Sequence, residues 1–106
     1  MIIKQISASD LHALLEQDMT DSAIVDVRTN EEFKKGAIVG AINVPVDKLS
    51  LHLDRLRDYK KIYLYCLSGG RSEFAATQLS TLGLTAEIYN LTSGLLAWRK
   101  QGYPLV

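Results

Sequence analysis

The only cysteine of this 106-residue chain, Cys66, closes the apolar run Ile62 to Cys66. Leu67, Ser68, Gly69, Gly70, Arg71 and Ser72 follow, and a helical pattern begins around Arg71 or Ser72. A strand that delivers a thiol to the start of a helix places it at the positive end of the helix dipole. The glycines allow positive φ and let backbone N–H groups turn inward. Such a ring of donors stabilises a thiolate, and cysteines at helix N-termini fall to pKa values of roughly 3.5–7.5. The same ring stabilises a terminal sulfur or an oxyanion carried on the cysteine. The competing reading is a small buried hydrophobe before an ordinary glycine turn. The Gly-Gly-Arg-Ser that follows favours reactivity.

Arg71 is suited to an anionic donor or to holding the loop, because a guanidinium matches oxyanions in a fork; the alternative is a surface ion pair. Ser72 reads as a helix cap, a proton donor, or both. Asp26, at an expected strand end, is placed to accept loop hydrogen bonds. Arg28 is expected to pair with Glu31 or Glu32. His12 lies off the apolar stripe of its helix and reads as surface, His52 flanks one and reads as structural, and neither belongs to a Cys–His dyad, so no general base is assigned. Trp98 and Phe33 read as core.

The elements that must position these residues alternate. β-rich runs occupy 2–6, 23–27, 41–45, 61–66 and 86–90. Between them, Ser7 and Asp10 stand at capping-box spacing, with Ser9 an equally good N-cap, ahead of the Leu11, Leu14, Leu15 stripe. Thr29 or Asn30 caps a short helix that has acids early, lysines late and Gly36 as its stop. Leu49, Leu53 and Leu56 mark a third helical face. Ala75, Leu79 and Leu82 mark a fourth, ending at Gly83; Leu95 and Trp98 mark a fifth, ending at Gly102. The expectation is an α/β domain over 1–106, with a mainly parallel central sheet of about five strands and helices on both faces. Sites in such sheets form beyond the carboxyl ends of strands.

Lys+Arg and Asp+Glu both number 12, so no net field suits nucleic acid or an anionic membrane. One cysteine makes no internal disulfide and has too few companions for a cysteine-based zinc site. No apolar run approaches the ~20 residues of a membrane helix. The segment "MIIKQISASD" lacks the form of a secretory signal, so the expected location is the cytoplasm.

The loop resembles the active-site loop of single-domain rhodaneses, Cys-x-x-Gly-x-Arg-Ser, through Cys66, Gly69, Arg71 and Ser72. Three further segments follow the family's order. "IVDVRTNEEFKKG" resembles its Asp-Val-Arg stretch through Asp26, Val27, Arg28, Glu32, Phe33 and Gly36. "GAINVP" resembles its Gly-Ala-x-Asn-x-Pro segment. "SGLLAWRKQGYPL" resembles its closing stretch through Gly94, Trp98, Gly102 and Pro104. The chain departs from the family pattern at Ala37, commonly His; at Ser93, commonly Gly; and at Leu67, often basic.

The resemblance implies a rhodanese-like fold and a sulfurtransferase. Cys66 would attack the outer sulfur of a small-molecule donor, thiosulfate or a persulfide. Its own persulfide would rest among backbone N–H groups from Leu67 to Ser72, and a thiol or protein acceptor would remove the sulfur. No metal or organic cofactor is implied. Two alternatives stay open. One is a phosphatase or arsenate reductase on the same fold, whose loop is Cys-x5-Arg; here four residues separate Cys66 from Arg71, and Tyr65 stands where a phosphatase has His. The other is a non-catalytic binding module.

Overall fold

The apolar runs become five strands of one sheet in the computed structural model, which describes residues 3–106. They are β1 (Ile3–Ile6), β2 (Ser22–Asp26), β3 (Ile42–Asn43), β4 (Lys61–Tyr65) and β5 (Glu87–Leu91), side by side as β1-β5-β4-β2-β3. Among the described residues every strand pair is parallel. Ile2, read as part of the first strand, lies outside the described residues. The run 41–45 supplies only the two-residue edge strand β3.

Parallel pairing requires crossovers, and the crossovers supply the covering layers. Helix α4 (Gly70–Thr81) lays Ala75, Ala76 and Leu79 on Val25, Leu64 and Ile88. On the other face, α1 (Ala8–Leu14) and α5 (Gly94–Lys100) bring Leu11, Leu95 and Trp98 against Ile24, Tyr63, Tyr65 and Leu91. Buried on both sides, β2 and β4 read as nearly continuous apolar runs. Each fully buried leucine here contributes about 1.5–3 kcal/mol relative to an exposed position.

Local signals behave as their chemistry dictates. Ser7 caps α1 by accepting from the Asp10 N–H at 3.1 Å. Thr29 and Glu32 form a reciprocal capping box on α2 (Asn30–Lys34).

Four readings need correction. The leucine-rich stretch after Pro45 is not one α-helix. It is a 3-10 segment, Val46–His52, followed by a single α turn, α3 (Leu53–Leu56). The tighter three-residue period puts Val46, Leu49 and His52 on one edge, with Leu49 buried between two half-buried residues. Leu82 is 40% exposed, because α4 ends at Thr81 and the chain turns at Gly83, leaving Leu84 to fill the core. Phe33 is only half-buried. His12 is half-buried and stacks on Tyr103 at 3.9 Å, with Trp98 edge-on. Tyr103 opens the C-terminal tail, which pairs back on Ala37 through two backbone hydrogen bonds with Val106, at 3.0 and 2.8 Å.

Candidate active site

Cys66 follows directly on the last residue of β4, the central strand. The loops after β2 and β5 flank it. α4 begins at Gly70, slightly earlier than Arg71 or Ser72. Its N-cap is Gly69, with φ +105° and ψ −15°. That left-handed turn aims the Gly69 N–H at Cys66 Sγ, 3.1 Å away. A side chain at 69 would be strained by this φ and would place its Cβ 3.3 Å from the Ser93 nitrogen.

Ser72 lies in the first turn of α4 and does not cap it. Its hydroxyl is 3.5 Å from Sγ and 3.2 Å from the Gly69 carbonyl oxygen. Cys66 is 1% exposed, and burial pushes its thiol up. Hydrogen bonds from the Ser72 hydroxyl and from the amides of Ser72, Gly69 and Ser68 outweigh that, so the thiol is held below its ordinary value.

The carbonyls of the same loop point the other way. The Leu95 N–H donates to the Cys66 carbonyl at 2.9 Å and the Leu96 N–H to that of Leu67 at 3.0 Å. The first amides of α5 are thereby satisfied by the loop, and the loop's acceptors are turned from the sulfur. This close approach needs Gly94. A Cβ there would overlap the Cys66 carbonyl oxygen and stand 2.8 Å from that of Leu67. The Leu67 side chain is half-buried and packs on the apolar cluster beneath α5, rather than standing free at the mouth.

Arg71 turns to Glu32. Its two terminal nitrogens meet the two carboxylate oxygens at 2.7 and 3.0 Å, linking α4 to α2. Hydrogen bonding to Arg71 holds the Glu32 carboxyl down at about 2. The expected pairing of Arg28 with Glu31 or Glu32 is therefore incorrect. Arg28 is buried and bonds Asp26 through Nε and Nη2, at 2.7–3.1 Å, with Nη2 also donating to the Gly36 carbonyl. Asp26 additionally accepts from the Arg28 N–H. Its carboxylate thus serves Arg28 and the backbone after β2, and not the cysteine loop as the sequence suggested. This pair braces the end of β2 next to β4.

Two residues escaped the sequence reading. Asn90, 2% exposed on β5, accepts from the Ser72 hydroxyl through Oδ1 and donates through Nδ2 to Gln5 Oε1 at 3.0 Å. The available signal was a polar residue at a core position: 86, 88 and 90 alternate inward, and only 90 is not apolar. Among the described residues, no group of three or more His, Cys, Asp or Glu side chains is arranged to hold a metal ion. Nor is any helix long and apolar enough to cross a membrane.

The geometry agrees with what this chain resembles among known proteins. The family model for the rhodanese-like domain matches residues 7–101. A sulfurtransferase of Allochromatium vinosum is 30% identical over 105 residues, covering 99% of this chain and 96% of that protein. The uncharacterized protein YqhL of Bacillus subtilis is 43% identical over 75 residues, which span 71% of this chain and 59% of YqhL. The crystal structure of a rhodanese-related protein from Thermoplasma volcanium superposes with a TM-score of 0.80 at 33% identity, covering 97% of each chain. With a parallel five-stranded sheet, a cysteine at the carboxyl end of its central strand and a family match across nearly its whole length, the chain belongs to the rhodanese-like family.

Proposed function

We propose that this protein is a sulfurtransferase that carries a sulfane sulfur on Cys66. The observation that supports this most directly is the amide and hydroxyl cradle of Sγ, with the Gly69 N–H at 3.1 Å and the Ser72 hydroxyl at 3.5 Å, at the start of α4.

In the first half-reaction the Cys66 thiolate attacks the outer sulfur of thiosulfate or a small persulfide. The S–S bond of the donor breaks, and sulfite or a thiolate leaves with the electron pair. Cys66 then holds a persulfide whose terminal sulfur takes hydrogen bonds from the loop Leu67, Ser68, Gly69, Gly70, Arg71 and Ser72. In the second half a thiol, a protein thiolate or cyanide attacks that sulfur, and Cys66 leaves as the thiolate. Asp26 and Arg28 support the site by bracing β2, and Arg71 holds the loop to α2. With four residues between Cys66 and Arg71, the ring suits a single sulfur better than a tetrahedral oxyanion.

Intact mass after incubation with thiosulfate and removal of the excess tests the reading. The expected result is a gain of one sulfur atom, reversed by cyanide and absent in Cys66→Ser. A gain that persists in folded Cys66→Ser, or none in the wild type with either thiosulfate or a persulfide donor, rejects the covalent route. Turnover of an aryl phosphate faster than thiosulfate, dependent on Cys66, favours the phosphatase instead.

A further inference from the structure

Ser72 has one hydroxyl proton and three acceptors around it: Cys66 Sγ at 3.5 Å, the Gly69 carbonyl at 3.2 Å, and Asn90 Oδ1, the closest. Asn90 passes the chain outward. It pairs across the sheet with Gln5 of β1, and its Nδ2 donates to Gln5 Oε1 at 3.0 Å. Gln5 Oε1 also accepts from the Thr92 hydroxyl at 3.2 Å. Gln5 and Thr92 are exposed, whereas Asn90 and Ser72 are buried. A continuous chain of hydrogen bonds therefore runs from the sulfur to the surface.

A buried amide in a sheet interior is costly unless both of its ends are bonded. Both ends of Asn90 are bonded, and each end has opposite polarity. In one orientation Oδ1 takes the Ser72 proton, and the Ser72 oxygen offers lone pairs to the sulfur, which suits a protonated thiol. In the other, Nδ2 donates to the Ser72 oxygen and the hydroxyl proton is released towards Sγ, which suits a thiolate. The second orientation needs Gln5 to turn as well, so that its Nε2 donates to Asn90 Oδ1. Each link then reverses together and no buried polar atom is left unpaired.

We propose that Asn90 and Gln5 form an amide relay that directs the single Ser72 proton towards Cys66 or away from it, with Asn90 as a positioning residue and the exposed residue 5 as its control point. The proposal deepens the persulfide reading of the same site, but it concerns the free thiol and is measured without any sulfur donor. The charged groups beside the loop are Arg71 and its partner Glu32. They keep their charge and pairing in both orientations.

Residue 5 allows both orientations to be imposed from the surface. Gln5→Glu is acceptor-only there, so Asn90 must donate outward and present Oδ1 to Ser72. Gln5→Lys is donor-only and imposes the reverse. The readout is the pH profile of Cys66 alkylation by iodoacetamide, which follows the thiolate fraction. Below the thiol pKa, Gln5→Glu is expected to slow alkylation about threefold or more, and Gln5→Lys to speed it by a similar factor, since one pKa unit is tenfold. Both changes should vanish in a Ser72→Ala background and should resist added salt, which screens a through-space effect of the new charge. Identical profiles for the three proteins overturn the relay. So do differences that survive Ser72→Ala, because they report charge alone. Failure of thiosulfate to load Cys66 leaves this result untouched.

Discussion

Arg71 and Glu32 meet in a fork, the guanidinium donating to both carboxylate oxygens at 2.7 and 3.0 Å across 39 residues of sequence. The pair ties the first turn of α4, and with it the cysteine loop, to α2. Arg71 holds the Glu32 carboxyl at about 2, below its ordinary 4.5. A carboxyl whose pKa is depressed by folding stabilises the fold above its unfolded value, and that contribution disappears as pH falls through the folded one. The stability difference between wild type and Glu32→Gln is therefore expected to be constant above about pH 5 and to shrink as pH falls from 4.5 towards 2. Urea unfolding of both proteins across that range measures it. A difference independent of pH shows that the ion pair adds nothing.

Local chemistry was legible in the sequence; contacts between distant elements were not. Cys66, Gly69 and the start of α4 lie within one turn of chain, so residue types alone specify their arrangement. The partner of Arg71 depends on which helix the sheet order brings alongside. Arg28 was misassigned for a related reason. Its expected partners were the nearby acids Glu31 and Glu32, but it precedes α2 and folds back on Asp26 two residues earlier, where both are buried. Asn90 was missed because its run was read for β-propensity and not for the polarity of its inward positions. Element types were sounder than bounds except after Pro45, where Val46, Leu49 and His52 fall on a three-residue period and the tighter helix formed.

The Cys66 thiol sits below its ordinary value through hydrogen bonds that overcome burial. Alkylation by iodoacetamide is expected to stay appreciable below the pH at which a free thiol of pKa about 8.5 reacts. Ser72→Ala removes the side-chain donor and should move the profile upward. A wild-type profile matching that of a free thiol means that the amides do not reach the sulfur in solution.

Leu67 follows the nucleophile and leans half-buried on the cluster under α5. An arginine there can keep its stem on that surface while its head reaches water. The added charge raises the local concentration of a dianionic donor. Leu67→Arg is expected to raise kcat/KM for thiosulfate several-fold at low ionic strength, with the gain shrinking as salt is added. Kinetic series at low and high salt test it. No gain in a folded mutant at low salt places residue 67 away from the path of the donor.

Ser93 and Gly94, between β5 and α5, both have left-handed backbone, at φ +60° and +53°. The left-handed region costs a residue with a Cβ roughly 1–2 kcal/mol. Ser93→Gly relieves that cost and adds roughly 0.4–1 kcal/mol of unfolded-chain entropy. The net expectation is a gain of a few tenths to about 1 kcal/mol, with sulfur transfer unchanged. Gly94→Ala should behave oppositely. It adds the backbone cost and drives a Cβ into the carbonyls of Cys66 and Leu67, which are backbone atoms and move only with the loop. It is expected to destabilise by more than about 2 kcal/mol and to lower kcat by displacing the Gly69 N–H from the sulfur. Denaturant unfolding and thiosulfate kinetics on the two variants separate these effects. Retention of both stability and kcat in Gly94→Ala rejects the docking of α5 on the loop as the support of the cradle.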